Sequence, residues 1–135
     1  PPHVHFHMDE HFKIMIGEVL FEVNGEKIIK TVGEEFFVPR GIIHSVTNAI
    51  KGQASMTVTY SPCADTHRMF QILSTLDNEK PDSMMNMMKY FYLVPRIGLK
   101  EFSRVRPVFF EIITNGIVTI MGKLSGWDKL VIKYK

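Results

Sequence analysis

The chain has 135 residues, of which 45% are hydrophobic and 22% are charged, and its formal charge at pH 7 is +2. A chain of this length is ordinarily one domain, and it is long enough to bury a single substantial core. So small a charge, without a cluster of Lys or Arg, argues against a nucleic-acid-binding protein. Cys63 is the one cysteine, so an internal disulfide is excluded and the expected location is the cytoplasm.

Residues 1–61 have the pattern of short β-strands separated by turns. Residues 19–24 alternate between two faces, with Val, Phe and Val on one of them, and residues 27–32 are rich in β-branched side chains, as strands are. Asn24-Gly25 separates the two runs and predicts a tight type I′ hairpin, because both residues tolerate a positive φ. Short strands with such turns favour a sandwich or barrel over a parallel α/β sheet.

After these strands the apolar residues recur at helical spacing. A first helix is predicted to begin near Asp65 or Thr66, either of which would cap its N-terminus. A second helix is predicted over residues 84–94, ending before Pro95. The apolar residues that define the first helix are Met69, Phe70, Leu73 and Leu76.

A third helix is predicted to begin at Pro107, a favoured first-turn residue, and to end just before Gly126. Gly116 and Gly122 lie inside it and are unfavourable in a helix interior. We expect its apolar stripe to be buried against the rest of the chain or against a partner chain. The stripe consists of Val108, Phe109, Ile112, Ile113, Ile117, Ile120, Met121 and Leu124.

Three histidines near the start of the chain recur at strand spacing. His3, His5 and His7 are separated by single residues, so on a strand their side chains face the same side. Glu10 follows them, and His44 comes from a separate hairpin. A divalent first-row transition metal binds imidazole nitrogens and carboxylate oxygens that converge from rigid elements.

These residues resemble the two sequence motifs of the cupin superfamily, and every anchor position is occupied at the family's spacing. The first motif is matched by His3-x-His5, Glu10 and Gly17, and the second by Gly33, Pro39-x-Gly41, His44 and Asn48. With its C-terminal extension the whole chain resembles single-domain bacterial cupins that have a helical tail.

The resemblance implies a mainly β fold, a double-stranded β-helix (the cupin or jelly-roll barrel) over residues 1–62, followed by a C-terminal α-helical tail over residues 63–135. Members of the family carry strands before the first motif, so we expect strands to be missing from this sequence or to be supplied by another chain. The resemblance also implies one divalent metal ion, Fe, Mn, Ni or Zn. The implied ligands are His3, His5, Glu10 and His44.

Several further residues are expected near the metal. His7 and Tyr60 are candidate proton carriers, and His7 is also a candidate auxiliary ligand. Inward parity on the strands predicts an apolar lining around the site, and a plain barrel core would have the same pattern. For His3, His5 and His44 the alternative is a degenerate cupin that binds no metal. The predicted lining residues are Phe12, Ile14, Ile16, Val46, Met56 and Val58.

The sequence leaves two functions open. The first is a metal-dependent enzyme of the dioxygenase or isomerase type acting on a small molecule, and the second is a non-catalytic module that binds or senses a small molecule. We expect no membrane span, because the most apolar segment, 108–124, carries Glu111 and Lys123. An open sheet edge and the apolar third helix predict a homodimer.

Overall fold

A computed structural model describes residues 1–79, 83–99 and 104–135 of the chain. The chain divides into two compact units, the first formed by residues 1–64 together with a short strand near residue 105, and the second by helices. The elements are β1 (His3–Val4), β2 (Asp9–Ile16), β3 (Glu18–Val23), β4 (Glu26–Thr31), β5 (Glu35–Val38), β6 (His44–Asn48), β7 (Ser55–Ser61), α1 (Thr66–Glu79), α2 (Met84–Leu93), β8 (Arg104–Val105), α3 (Val108–Leu124) and α4 (Asp128–Tyr134).

The first unit consists, over the described residues, of two antiparallel sheets. One sheet has the strand order β4-β3-β6-β1-β8 and the other has the order β5-β2-β7. Neighbours in the sheets are far apart in sequence, as in β3 beside β6 and β2 beside β7, which is the arrangement of a jelly roll. The prediction of a mainly β barrel followed by an α-helical tail is confirmed.

Two tight turns give this unit its register. Asn24 and Gly25 have φ angles of 50° and 90°, and Val23 pairs with Glu26 across the turn, so the predicted hairpin is confirmed. Gly17, between β2 and β3, has a φ of 73°, and a Cβ there would lie 2.5 Å from the carbonyl oxygen of Gln53. Glycine is therefore required at position 17 for both reasons.

The core of the first unit lies between the two sheets. Phe12 and Ile14 are buried there, and Val46 and Val58 pack against them while half-buried. Met56 pairs with Ile14 across the sheet but keeps 37% of its surface exposed, so it contributes little to this core.

The prediction that Ile16 lines the interior is wrong, because Ile16 is exposed. A β-bulge lies between Ile14 and Ile16, so that Ile14 pairs with Met56 while Ile16 pairs with the adjacent Ser55. Adjacent residues of a strand face opposite sides, and the bulge therefore moves Ile16 to the outer face.

A short strand lies inside the segment predicted to be helical. In β8, Val105 pairs with His3 and Arg104 pairs with Val4, and the amide of Arg106 donates to the carbonyl of Pro2 at 2.9 Å. A strand of two residues is too short to produce a recognisable alternation in sequence. It covers the edge of β1 that faces away from β6.

In the second unit, α1 and α2 lie close to their predicted positions, and α4 is an additional helix. The side of α1 that is buried carries Met69, Ile72 and Leu76, whereas Phe70 is exposed. Asn86 on α2 is also buried, and its side-chain amide donates to the carbonyl of Leu76 at 2.7 Å. The main cluster of this unit consists of Met69, Ile72, Leu76, Leu93, Val94, Ile97 and Leu99.

The apolar stripe of α3 is not buried against the described part of its own chain, so burial against a partner chain is the alternative that stays a prediction. The buried residues of α3 are Glu111, Val118 and Gly122, which lie on the opposite side of the helix. At Gly122 the helix lies so close to the Tyr92 ring that an added Cβ would overlap it. The large apolar residues that are exposed on α3 are Val108, Phe109, Phe110, Ile112, Ile113, Ile117, Ile120 and Leu124.

No single helix in the described ranges has both the length and the apolar character needed to cross a membrane. The pair α3 and α4 meets these criteria together, by length and composition only, and is bent by 95° between the two helices.

The two glycines inside α3 provide a matched test of this packing. Gly122→Ala should lower the free energy of unfolding by about 1–3 kcal/mol because the new methyl group meets a buried ring, and that ring is held by Asp128 and by the guanidinium of Arg96. A Cβ at Gly116 would meet nothing within 4 Å, so Gly116→Ala should raise it by about 0.5–1 kcal/mol. Thermal and urea unfolding measure both, and equal effects of the two variants would contradict the described packing.

Candidate metal centre

Four side chains from separate parts of the first unit converge at one end of the barrel. His3 on β1 and His44 on β6 are cross-strand neighbours in one sheet, His5 directly follows β1, and Glu10 belongs to β2 in the other sheet. Each offers one ligand atom, and these atoms all lie within 4.8 Å of one another. His5, Glu10 and His44 are buried, and His3 is partly buried.

The separations of these groups are close to those of a metal site. Nε2 of His44 lies 2.7 Å from Oε2 of Glu10, and Nε2 of His5 lies 3.7 Å from Oε1 of Glu10. The ring centroids of His3 and His44 are 4.4 Å apart. Nitrogen and oxygen ligands about 2.0–2.2 Å from one ion lie at most about 4.4 Å from each other, so a contraction of a few tenths of an ångström would bring all four to ligand distance.

Backbone carbonyl groups orient two of the imidazoles. Nδ1 of His44 lies 3.1 Å from the carbonyl oxygen of Ile42, and Nδ1 of His3 lies 3.1 Å from that of Pro1. A carbonyl oxygen only accepts, so Nδ1 is the donor in both contacts and the neutral ring keeps its lone pair on Nε2. Metal-binding histidines are commonly fixed by this kind of contact.

Two buried polar atoms of the four predicted ligands are suited to binding a cation. Oε2 of Glu10 and Nε2 of His44 are buried without a hydrogen bond of acceptable geometry, although they lie 2.7 Å apart. Leaving buried polar atoms unsatisfied costs about 1–3 kcal/mol each. A divalent ion accepts the lone pairs of both atoms, so the residues present fit a transition metal.

The two oriented histidines have pKa values shifted in opposite directions. Burial and the nearby His44 lower the pKa of His3 from 6.5 to about 4, so His3 is neutral at physiological pH. Burial also lowers the pKa of His44, but the Glu10 carboxylate 2.7 Å away and the Ile42 carbonyl raise it by more, and the net pKa lies above 6.5. His44 therefore keeps a proton next to Glu10 more readily than a free histidine does.

The turn of the second motif is tied to the first motif by two sets of contacts. The amide of Gly41 donates to the carbonyl of His5 at 2.7 Å. Arg40 donates to Asp9 through its backbone amide and its guanidinium, with a shortest distance of 2.7 Å. This contact lowers the pKa of Asp9 to about 2, and it anchors the residue next to Glu10. No spacing rule indicates this pair, because its members are far apart in sequence.

Other motif residues have structural roles. The side chain of Asn48 donates to the carbonyl of Gly52 at 2.7 Å and accepts from the amide of Ile50 at 3.0 Å. It thereby closes the loop between β6 and β7, at the other end of the strand that begins with His44.

The two candidate proton carriers, Tyr60 and His7, are placed differently relative to the four predicted ligands. Tyr60 pairs with Glu10 across β2 and β7, so its side chain faces the same side, and burial and the Glu10 charge raise its pKa to about 12. His7 is exposed and lies outside the four-residue group. The strand ends at Val4 and the chain bends at residues 6 and 7, so the strand spacing of the histidines does not extend to His7.

The predicted apolar lining lies on the His44 side of the four predicted ligands. The Phe12 ring lies 6.4 Å from the His44 ring, centroid to centroid, and Phe12 belongs to the same core cluster as Ile14, Val46 and Val58. Met56 lies outside that cluster and is exposed.

No protein-family model matches the chain. Oxalate oxidase 2 of Hordeum vulgare is 38% identical over 69 residues, covering 45% of this chain and 31% of that protein. Oxalate oxidase GF-2.8 of Triticum aestivum is 36% identical over the same coverage. The chain thus spans about a third of the length of the curated relatives that it matches.

Solved structures match a similar portion of the chain. A solved oxalate oxidase is 32% identical, with a TM-score of 0.41 and coverage of 44% of this chain and 34% of that chain. A predicted oxalate decarboxylase from Thermotoga maritima is 25% identical, with a TM-score of 0.42 and coverage of 44% and 52%. The cupin domain of Cnp3 from Schizosaccharomyces pombe is 25% identical, with a TM-score of 0.40 and coverage of 47% of each chain.

Both motifs are in register, the first unit is an antiparallel two-sheet barrel, and four motif residues meet at one end of it. The sequence similarity to oxalate oxidases falls on less than half of the chain. On these grounds the first unit has the cupin fold that the two motifs imply.

Proposed function

We propose that the chain binds one divalent transition metal through His3, His5, Glu10 and His44 and is a metal-dependent enzyme acting on a small molecule. The observation that carries this proposal is the convergence of the four side chains, with a buried carboxylate oxygen and a buried imidazole nitrogen that lack hydrogen bonds of acceptable geometry. Fe, Mn, Ni and Zn all suit a site of three imidazoles and one carboxylate.

An anionic substrate suits the charge of this site. Three neutral imidazoles and one carboxylate leave a divalent ion with a net positive charge and with about two free positions if it is six-coordinate. When bound, the ion would supply Lewis-acid or dioxygen-activating chemistry at those positions. The relatives named as oxalate oxidases make a small carboxylate such as oxalate the first substrate to test.

The chain's own residues would hold the ligand set and control protons around it. Phe12 and the apolar core beside His44 keep water from one side of the site. Tyr60, whose pKa is about 12, stays protonated at neutral pH and can donate a hydrogen bond from the face it shares with Glu10. Tyr60 is therefore the preferred proton carrier, and the exposed His7 is the second choice.

The metal content of the purified protein tests the ligand assignment. Protein made without chelator should contain about one divalent ion per chain. His44→Ala should lower this occupancy by at least about tenfold because it removes a ligand, and His7→Ala is the matched control because His7 lies outside the group. Elemental analysis by mass spectrometry measures both, and equal occupancy in wild type and His44→Ala would refute the assignment.

Proton release on metal binding tests the raised pKa of His44. Because the pKa of His44 is raised above 6.5, the metal must displace its proton, so metal affinity should rise as the pH increases through the titration of His44, with the release of protons. The pKa of His3 is about 4, so His3 has no proton to lose at neutral pH. The variant His3→Ala should therefore bind the metal more weakly but release as many protons on binding as the wild type. Calorimetry in buffers of different ionisation enthalpy measures it, and an affinity that does not change with pH would contradict the argument.

Substrate turnover separates the enzyme from the binding module. The iron- or manganese-loaded protein should consume oxygen when a small carboxylate such as oxalate is added, and Glu10→Gln should abolish this activity together with metal binding. The control is His7→Ala, which should leave metal content unchanged. A ligand that raises the melting temperature of the metal-loaded protein without turnover would instead identify the non-catalytic binding module.

Two further expectations accompany this proposal. We expect the chain to form a homodimer, because the third helix presents a large apolar surface. A cytoplasmic location stays a prediction, and Cys63, a free and exposed thiol, is compatible with a reducing compartment.

A further inference from the structure

The exposed side of α3 carries a regular row of large apolar residues. They recur at intervals of three, four, three and four residues, and between 51% and 84% of each residue is exposed. This row contains no charged or polar residue, and it is called the α3 seam here. The seam consists of Phe110, Ile113, Ile117, Ile120 and Leu124.

Alternating intervals of three and four residues are the pattern by which one α-helix pairs with another. The average period of 3.5 residues keeps the apolar row facing a partner helix, and each side chain inserts between four residues of that partner. The seam spans only two heptads, fewer than an isolated coiled coil needs. However, α3 is already held in place within its own unit, by Val118 and Gly122 against the Tyr92 cluster, so the seam need not stabilise the helix alone.

We propose that the α3 seam is the interface with a second copy of this chain, paired antiparallel about a two-fold axis near Ile117. Identical seams satisfy the self-complementarity that a two-fold interface requires. Together with the flanking Phe109 and Ile112, also exposed, the seam offers on the order of 800 Å² per copy, the usual contribution of one partner to a stable interface.

The charges on α3 favour a protein partner over a lipid surface. Helices that lie on membranes carry many Lys and Arg residues on their polar face. The only charged residues of α3 are Glu111, which is buried, and Lys123. The other exposed residues of α3 include the uncharged Thr114 and Asn115. A helix with this polar face has little attraction for anionic headgroups.

The antiparallel direction follows from the helix ends. A parallel pair would place the two copies of Lys123, and the two lysine-containing α4 helices that follow, at the same end. It would also align the two helix dipoles unfavourably. An antiparallel pair separates both sets of charges and brings Ile117 of one copy next to Ile117 of the other.

Light scattering of the full chain across a concentration series tests the proposal. Wild type should have twice the 15.6 kDa mass of one chain. Ile117→Glu should raise the dimer dissociation constant by about 30-fold or more because it buries a charge in the seam. Asn115→Glu, on another exposed part of α3, is the matched control and should remain dimeric, and far-ultraviolet circular dichroism should show unchanged helix content in both variants.

Cysteine cross-linking gives an independent measurement if Ile117→Glu should misfold. In a Cys63→Ser background, Ile117→Cys should form a disulfide-linked dimer on mild oxidation, whereas Phe110→Cys should not, because residue 110 lies near residue 124 of an antiparallel partner. Cross-linking at residue 110 would overturn the antiparallel arrangement.

Three results would overturn the proposal itself. A dimer that persists in Ile117→Glu would place the interface elsewhere. A monomeric wild type in which Ile117→Cys resists thiol reagents would mean that another part of the same chain covers the seam. A monomeric wild type that sediments with phosphatidylserine vesicles, and loses this binding in Ile117→Glu, would identify a lipid surface as the occupant.

Discussion

The carboxylate of Glu10 is buried among histidine side chains, and much of the first unit serves to keep it there. A buried carboxylate is costly unless a charge or a hydrogen bond compensates it, and Nε2 of His44 lies 2.7 Å from it. Glu10 and His44 come from different sheets, so this contact exists only when both sheets have formed in the correct register. The hydrogen bond from Gly41 to His5 and the ion pair of Arg40 with Asp9 also join the turn before His44 to the segment that precedes Glu10.

The opposite pKa shifts of His3 and His44 give the two histidines different parts in metal binding. His3 has already lost its proton at physiological pH, so its lone pair is available. The raised pKa of His44 favours a proton on this ring, next to the Glu10 carboxylate, in the metal-free protein. A divalent ion would replace that proton with a larger positive charge at nearly the same place, so metal and proton compete for one position.

The resemblance of two sequence motifs to those of cupins was sufficient to predict which four side chains meet, because it implies His3, His5, Glu10 and His44 as ligands. Spacing failed where the regular geometry of a strand ends. His7 departs from the pattern because the chain bends after Val4, and Ile16 departs because a bulge changes its parity. Neither feature has a periodic signature. The contact of Asp9 with Arg40 is equally invisible, since it joins distant segments.

The sequence pattern also could not predict which face of α3 packs against its own unit. An amphipathic pattern locates the apolar face of a helix but does not tell which face meets the protein's own core. In α3 the packing face is the one that carries Gly122, because glycine lets the helix backbone approach the Tyr92 ring. A large apolar residue would not permit so close an approach. The helix therefore packs through its small and mixed face and presents the apolar one. A helix with a glycine opposite a row of Ile, Phe and Leu is best interpreted as having two contact surfaces, one within the chain and one for a partner.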